Sequence, residues 1–167
     1  LINPSMRYEY KISDAVSSSF SGEWTNATGR YKFRYRRRNT LGEIAYDTTA
    51  YRQNGDINAT RMEAGLHGKM ADGQWTVRAY TYNSERGIPG AIVNNVFRHG
   101  ERLWDTNSFI QGTLTNRWSK KFRTLFNTKY AADYTHYENQ DAKLIQTKNT
   151  YKPVSYTHLT LPTNSLV

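Results

Sequence analysis

The chain has 167 residues, a formal net charge of +9 and no cysteine. Hydrophobic residues make up 37% and aromatic residues 14%, which is too polar for a leucine-rich core and too aromatic for a disordered tail. The lack of cysteine excludes a disulfide framework and a cysteine nucleophile, and the positive charge favours phosphate-bearing partners, on nucleic acid or on lipid.

The first long strand is predicted to start at Ala15, after a tight turn at Ser13-Asp14. It places three large apolar residues on one face, namely Val16, Phe20 and Trp24. The alternation changes parity between Asn26 and Gly29, which predicts a β-bulge in a strand that continues beyond it.

The continuation is the segment GRYKFRYRRRN, Gly29 to Asn39, which alternates aromatic and basic residues. Its basic face predicts a rim that meets lipopolysaccharide phosphates or attracts an anionic ligand. A solvated, charged strand edge that resists aggregation is an alternative. A nucleic-acid arm is a third, because interleaved Arg and Tyr suit stacking on bases, although no nucleic-acid motif accompanies them.

Further strands with a period of two residues are predicted over 58–70, 75–82, 104–118 and 122–134. One face is predicted to carry apolar residues, including Met62, Leu66, Val77, Ile110, Leu114 and Phe126. The opposite, wet face is predicted to carry Arg61, Glu63, Arg78, Gln111, Lys129 and Asp133.

The links between these strands are alternately short and long. Short turns are predicted at Ser13-Asp14, Ala71-Asp72-Gly73 and Ser119-Lys120, and long polar links over 36–56, 84–102 and from 138 onward. All short turns then lie at one end of the sheet. The sequence therefore predicts an all-β fold, an antiparallel up-and-down meander of about six long strands.

Aromatic residues recur at two heights on the apolar face. Near the tight turns lie Trp75, Trp118 and Phe122, and nine or ten residues further along lie Trp24 and Tyr130. At about 3.3 Å per residue and a tilt near 40°, this separation fits an apolar band roughly 25 Å tall. The pattern predicts a partial transmembrane β-barrel with its wet face toward the lumen; an antiparallel sheet of a soluble protein is the alternative.

Four segments resemble the barrel of TonB-dependent outer-membrane transporters, especially the cobalamin and iron-complex receptors. They are GRYKFRYRRRN, AYDTTAYRQNGDI, YNSERGIPGAIVNN and DYTHYENQDAKLIQTKN. The likeness extends from about Asn3 to Tyr151. It implies a slice of a 22-stranded barrel, whose plug domain and N-terminal energy-coupling box are not among these residues.

The resemblance implies active transport of cobalamin or a ferric siderophore across the bacterial outer membrane, driven by the TonB complex. Lipid and lipopolysaccharide would surround the barrel, and no nucleic acid would bind. A soluble basic β-domain that binds nucleic acid is the alternative function. No catalytic constellation, metal site or cofactor is predicted, since the four histidines have no partner at a ligating spacing.

Two long links carry the candidate ligand contacts. Their aromatic and basic side chains offer stacking surface and positive charge to a corrin or a siderophore: Tyr46, Tyr51, Arg52, Arg86, Phe97, Arg98 and Arg102. The alternative is that these residues are ordinary surface.

Residues 1–152 are predicted to form the barrel portion, and residues 153–167 a disordered, non-native tail. The segment PVSYTHLTLPTNSLV departs from the barrel pattern and is similar to a translated sequencing adapter. A genuine loop bounded by proline is the alternative. We expect no ladder pairing from Pro153 onward.

Overall fold

The computed structural model describes residues 1–92 and 100–139, together with the backbone of 148–160. Over these residues it contains nine β-strands and no helix, which confirms the all-β class. The strands are β1 Ser5–Lys11, β2 Val16–Ala27, β3 Lys32–Arg38, β4 Ile44–Tyr51, β5 Ile57–Met70, β6 Gly73–Gly87, β7 Glu101–Arg117, β8 Arg123–Asn139 and β9 Lys148–Thr160.

Seven strands form one antiparallel sheet in the order β1-β2-β5-β6-β7-β8-β9. The predicted meander is confirmed, because each strand pairs with its neighbour along the chain except where β3 and β4 intervene between β2 and β5. The expected count of about six strands is too low. In the part of the chain that the structure describes, β1 and β9 are unpaired edges, so the sheet is open.

The β3–β4 hairpin corrects the prediction for the region after β2. The basic segment was expected to continue β2 past a bulge, but β2 ends at Ala27 and the chain turns at Gly29, whose φ is +56°. The predicted polar link over 36–56 contains β4 and pairs with β3 instead. β4 is rich in aromatic and β-branched residues, and β3 alternates Phe33 and Tyr35 with cations, a period of two that suits a strand, so the two form a ladder of their own.

The three predicted tight turns are confirmed. They close β1–β2, β5–β6 and β7–β8, and the amide of Trp118 donates to the carbonyl of Phe122 at 2.9 Å in the last of them. The long links are shorter than expected, because β6 extends to Gly87 and β8 to Asn139. Since the sheet is antiparallel, the three short turns lie at one end and the long links at the other.

The strand register confirms the predicted division of side chains between the two faces. One row runs through Leu66, Val77 and Gly112, and the next through Ala64, Ala79, Ile110 and Tyr130. On the opposite face, Gly65, Arg78, Gln111 and Lys129 form one row. All six named apolar residues share the first face, here called the apolar face, and all six named polar residues share the second, the polar face.

The strand β9 contradicts the prediction for the tail. Residues 154–160 pair with β8, so the expected lack of pairing from Pro153 is wrong for this part. The edge of β8 offers unpaired backbone groups, and a segment rich in Thr, Tyr and Val has high strand propensity. Pro153 falls at a register shift, where the missing N–H costs no ladder bond. Residues 161–167 lie outside the described part, and a non-native origin of the tail stays a prediction.

The described residues form a single layer without a conventional core. Ala59 is the one apolar residue among them that is buried, and none of their large side chains is fully buried. A sheet with one apolar face normally covers that face with a second layer. Here no second layer lies over it in the described part of the chain, so the apolar face is open.

Candidate functional site

The apolar face is the more exposed side of the sheet. Ile110 is 51% exposed, Met62 46% and Phe126 37%. The same holds for other large residues of this face: Phe20, Trp24, Leu66, Met70, Val77, Tyr130 and Tyr134. Together they form a contiguous apolar surface across five strands, β2, β5, β6, β7 and β8. A patch of this extent marks a surface that contacts protein or membrane.

The polar face is the more sheltered side. Along β8 the polar-face residues Lys129, Ala131 and Asp133 are all less exposed than Phe126 and Tyr130. Along β5 the same contrast separates the part-buried Glu63 and His67 from the exposed Met62, Ala64 and Leu66. Small clefts also open on this face, one of them lined by residues of β1, β2, β5 and β6. The sheet thus exposes its large apolar side chains and partly shelters Glu63, Lys129 and Asp133, whereas a globular domain buries its apolar face; Arg61 and Arg78 of the polar face are exposed.

The predicted lumen-facing charges make short contacts with neighbouring strands. Asp133 accepts a hydrogen bond from the amide of Asn107 at 2.8 Å, and Arg61 lies 3.4 Å from the carboxylate of Glu23. The ammonium of Lys129 lies 4.4 Å from the ring centroid of Phe109, which stacks in turn on Tyr80. These contacts hold a charged surface in place. In the described residues no group of three or more His, Asp or Glu is arranged to hold a metal ion.

Arg102 lies at a junction where the long-link end of the sheet meets the β4–β5 connection. Its guanidinium donates to the Asp56 carboxylate at 2.8 Å and to the Glu85 carboxylate at 2.5 Å. Both carboxylates are charge-assisted partners, so the cation is already neutralised within the chain. Arg86, on the opposite face, is likewise paired with Asp105 at 3.0 Å.

Asn54 and Arg52 fasten the root of the β6–β7 link to this junction. The amide of Asn54 donates to the carbonyls of Ile88, at 3.0 Å, and Glu101, at 2.7 Å, and so spans the neck of the link. Arg52 donates to the carbonyls of Pro89 and Gly90 at 2.7 and 2.6 Å. Asn54 has a φ of +56°, a conformation that Asn tolerates better than most residues.

Three of the predicted ligand residues make contacts within the chain. Arg52, Arg86 and Arg102 are expected to offer positive charge to a bound chelate, and this stays a prediction. Their guanidinium groups bind carbonyl or carboxylate oxygens of the chain itself. Arg102 contacts Asp56, while Arg52 and Asn54 both donate to carbonyls of the β6–β7 link, so these residues hold two connections together.

The two predicted tyrosines lie on the β3–β4 hairpin, away from the junction. Tyr46 packs edge-on against Tyr35, with ring centroids 6.0 Å apart. Tyr51 is 47% exposed, and the guanidinium of Arg30 lies 4.8 Å above its ring. Phe97 and Arg98 lie outside the described residues. The five candidates that the structure describes thus do not converge on one pocket.

Asn54, Asp56 and Glu85 are the important residues that the sequence analysis did not assign to a site. The signal for Asn54 was the Asn-Gly pair, which indicates a turn with positive φ. Nothing in the sequence indicated the pairing with Arg102, which lies 46 residues beyond Asp56.

The described part of the chain holds no helix long and apolar enough to cross a membrane. Comparison with protein-family models and with curated proteins finds no match.

Proposed function

We propose that this chain is part of the barrel of an active transporter in the bacterial outer membrane. The observation that carries the proposal is the sidedness of the sheet, with large apolar residues exposed on one face and the charged and polar residues gathered on the other. A strand that alternates apolar-out and polar-in is the pattern of membrane barrels. The hydrocarbon of the bilayer supplies the missing second layer, and the paired charges face an aqueous lumen.

The nature of the sheet supports this assignment further. Its strands β7 and β8 have 17 residues each, far above the 5–6 that are usual in soluble sheets. Tight turns gather at one end and long links at the other, as in barrels with short periplasmic turns and long external loops. Closure of the barrel requires further strands at the edges β1 and β9.

The transported substrate follows from the sequence resemblance to TonB-dependent transporters. The proposed cargo is a large scarce nutrient, cobalamin or a ferric siderophore, moved with energy from the TonB complex. The root of the link after β6 and the hairpin lie at the long-link end of the sheet, where cargo would arrive. Within the described residues, Arg52 and Arg102 already make contacts inside the chain, so less of their charge is free for cargo.

A depth series of arginine substitutions along β8 tests the membrane proposal. The positions are Phe122, just before β8, and Thr124, Phe126, Thr128 and Tyr130 within it, each replaced by Arg in the complete barrel to which this chain would belong, folded into phosphatidylcholine vesicles. In a bilayer the loss of folding free energy should reach roughly 2–4 kcal/mol near the midplane and fall to about 0–1 kcal/mol near the interfaces. Chemical denaturation in vesicles measures each loss.

The matched control is Asn127→Arg, on the polar face of the same strand between two positions of the series. It should cost far less than Phe126→Arg, because its side chain meets water. A penalty that tracks the size of the side chain removed, regardless of depth, would instead indicate a packed protein core and refute the membrane assignment. Thr128 is decisive, because it is small and central.

A soluble basic β-domain that binds nucleic acid remains the second candidate, and one observation favours it. The hairpin β3–β4 combines exposed arginines with Tyr31 and Tyr51, which suit stacking on single-stranded bases. Binding of a single-stranded oligonucleotide in the absence of vesicles would support it. The exposed apolar face argues against it, since a soluble domain would need a further layer there.

A further inference from the structure

The β3–β4 hairpin concentrates much of the positive charge of the chain. Between residues 30 and 52 there are seven Lys or Arg and only two Asp or Glu, Glu43 and Asp47. The hairpin is separate from the main sheet and pairs only β3 with β4. Such a density of like charge is unfavourable for folding unless counter-charges are near.

The carboxylate of Asp47 pairs with two of these cations. It accepts two hydrogen bonds from the guanidinium of Arg34, at 2.8 and 2.6 Å, and one from Arg36 at 3.2 Å. The hydrogen bond from Arg34 holds the pKa of Asp47 below its ordinary value. Because a single carboxylate serves two guanidiniums, the pair of arginines retains net positive charge.

Other cations of the hairpin remain available to a ligand. Among the described residues, no carboxylate lies within ion-pair distance of Lys32 or Arg37, and Arg30 lies over the ring of Tyr51. Lys32, Arg34 and Arg36 project from the same face of β3, about 7 Å apart, as alternate residues of a strand do. A row of cations at this spacing suits several phosphate groups held side by side.

The position of the hairpin indicates the source of those phosphates. The backbones of Gly29 and Gly55 meet closely at its base, and the amide of Arg52 donates to the carbonyl of Tyr31 at 2.8 Å. This base follows directly from Trp24 at the long-link end of the apolar face. Tyr31 and Tyr51 are exposed at this base, and Tyr51 lies opposite Lys32 in the register, with the guanidinium of Arg30 over its ring. A phosphate layer bordering an apolar phase matches this order of residues.

We propose that the cationic side of the β3–β4 hairpin, formed by Arg30, Lys32, Arg34 and Arg36, binds the phosphate groups of an outer-leaflet glycolipid of the lipid A type. The inference rests on the proposed function, since it assigns the lipid neighbour of the same membrane face. Guanidinium groups bind phosphate oxygens in pairs, and the tyrosines lie at the level of the headgroups. The hairpin then anchors the outer end of the sheet in the lipid surface.

The test measures association of the full chain with two kinds of phosphatidylcholine vesicle, with and without diphosphoryl lipid A. The variant replaces Arg30 and Lys32 by Gln and leaves the Asp47 cluster intact. The matched control removes two charges at the short-turn end, at Lys120 and Lys121. We expect the hairpin variant to lose at least about tenfold in affinity for the lipid A vesicles, and the control less than about threefold.

Several outcomes would overturn the proposal. Equal losses in the two variants would mean that net charge alone governs binding, and no loss in the hairpin variant would remove the hairpin from the interface. If the chain binds a single-stranded oligonucleotide more tightly than lipid A, and this binding depends on Arg30 and Lys32, the surface belongs to nucleic acid. The chain should bind vesicles with lipid A that lacks its phosphates no more tightly than vesicles of phosphatidylcholine alone, and tighter binding would overturn the proposal.

A second measurement avoids dependence on variants that fold poorly. Lipid A vesicles should protect the hairpin arginines of the unaltered chain from trypsin, and added salt should remove this protection. Cleavage at the same rate with and without lipid A would refute the proposal. A failed depth series on β8 refutes the barrel instead, because it uses vesicles without lipid A.

Discussion

The seven-stranded sheet and the β3–β4 hairpin both alternate with a period of two residues, yet different properties alternate in each. In the sheet, apolar residues such as Leu66 alternate with polar ones such as Glu63. In the hairpin, aromatic residues such as Tyr35 alternate with cations such as Arg34. The period identifies a strand in both cases. The identity of the residues indicates which phase each face contacts.

The two regions also differ in what holds them together. The sheet pairs strands of up to 17 residues through continuous ladders. The hairpin has strands of only seven and eight residues, and an isolated two-stranded hairpin is marginal in water. Its stability therefore depends on the Arg34–Asp47 pair and on its joint with the sheet at Gly29 and Gly55. Three predictions, in order of decreasing effect, examine this dependence.

The largest effect is expected from Gly29→Ala, which acts on the joint. Gly29 has a φ of +56°, and a β-carbon there would lie 1.8 Å from the carbonyl oxygen of Gly55. The backbone conformation alone costs about 1–2 kcal/mol for a residue with a side chain, and the overlap adds to it. Hydrogen exchange should show loss of protection throughout β3 and β4, while the main sheet remains protected.

Gly42→Ala is the matched control, because Gly42 also has a positive φ, +82°, but no atom lies within 4 Å of the added carbon. It should cost only the backbone term, about 1–2 kcal/mol, and leave the joint intact. Equal loss of hairpin protection in both variants would show that the contact of Gly29 with Gly55 does not fasten the hairpin.

A smaller effect is expected from Arg102→Gln at the junction. The change leaves the carboxylates of Asp56 and Glu85 without their shared cation in a site where the Arg102 side chain is only 23% exposed. We expect a loss of about 1–2 kcal/mol in folding free energy, measured by denaturation. Arg7→Gln is the control, since its pair with Glu9 is highly exposed and should contribute less than about 1 kcal/mol. An equal cost at both sites would contradict the structural role of the junction.

The smallest effect is expected on the stability of the hairpin as the pH is lowered. The pKa of Asp47 is lowered below 3.8 by the hydrogen bond from Arg34, so the ionised form favours the folded hairpin. This contribution is present above the ordinary aspartate pKa and is lost as pH falls through the lowered value. Hairpin protection, followed between about pH 7 and pH 2, should weaken at the acidic end.

Asp47→Asn removes the titrating group and serves as the reference for that series. Its hairpin should be weaker at neutral pH and should change less on acidification than the unaltered hairpin does. The same acid response in both proteins would assign the effect to other carboxylates.

The faces of the main sheet could be predicted from the sequence because a strand exposes alternate residues on opposite sides. Once Met62 and Glu63 were assigned to opposite faces of β5, the short turns at residues 71–73 and 119–121 determined the register of the next strands. A short turn leaves few ways to pair two strands. The six residues assigned to the apolar face, such as Met62 and Phe126, and the six assigned to the polar face, such as Arg61 and Asp133, followed from these two rules.

The hairpin and the junction could not be predicted in the same way. Positive charge on Arg52 and Arg102 suggested ligand contact, but whether a cation is free depends on which carboxylates lie nearby. Asp56 approaches Arg102 only because β5, β6 and β7 are adjacent in the sheet. The pairing of β9 with β8 was missed for a related reason, since an available sheet edge recruits a segment that its composition alone did not identify as a strand.

The sequence by itself determined the class of fold, the tight turns and the sidedness of β2, β5, β6, β7 and β8, because these depend on neighbours within a few residues. Only the tertiary structure decided that Arg52, Arg86 and Arg102 are paired, that the basic segment forms a separate hairpin, and that the apolar face is the more exposed one. These properties depend on contacts between residues distant in the chain. The burial of each side chain, and whether a cation has a carboxylate partner, therefore depend on how the strands assemble into the sheet.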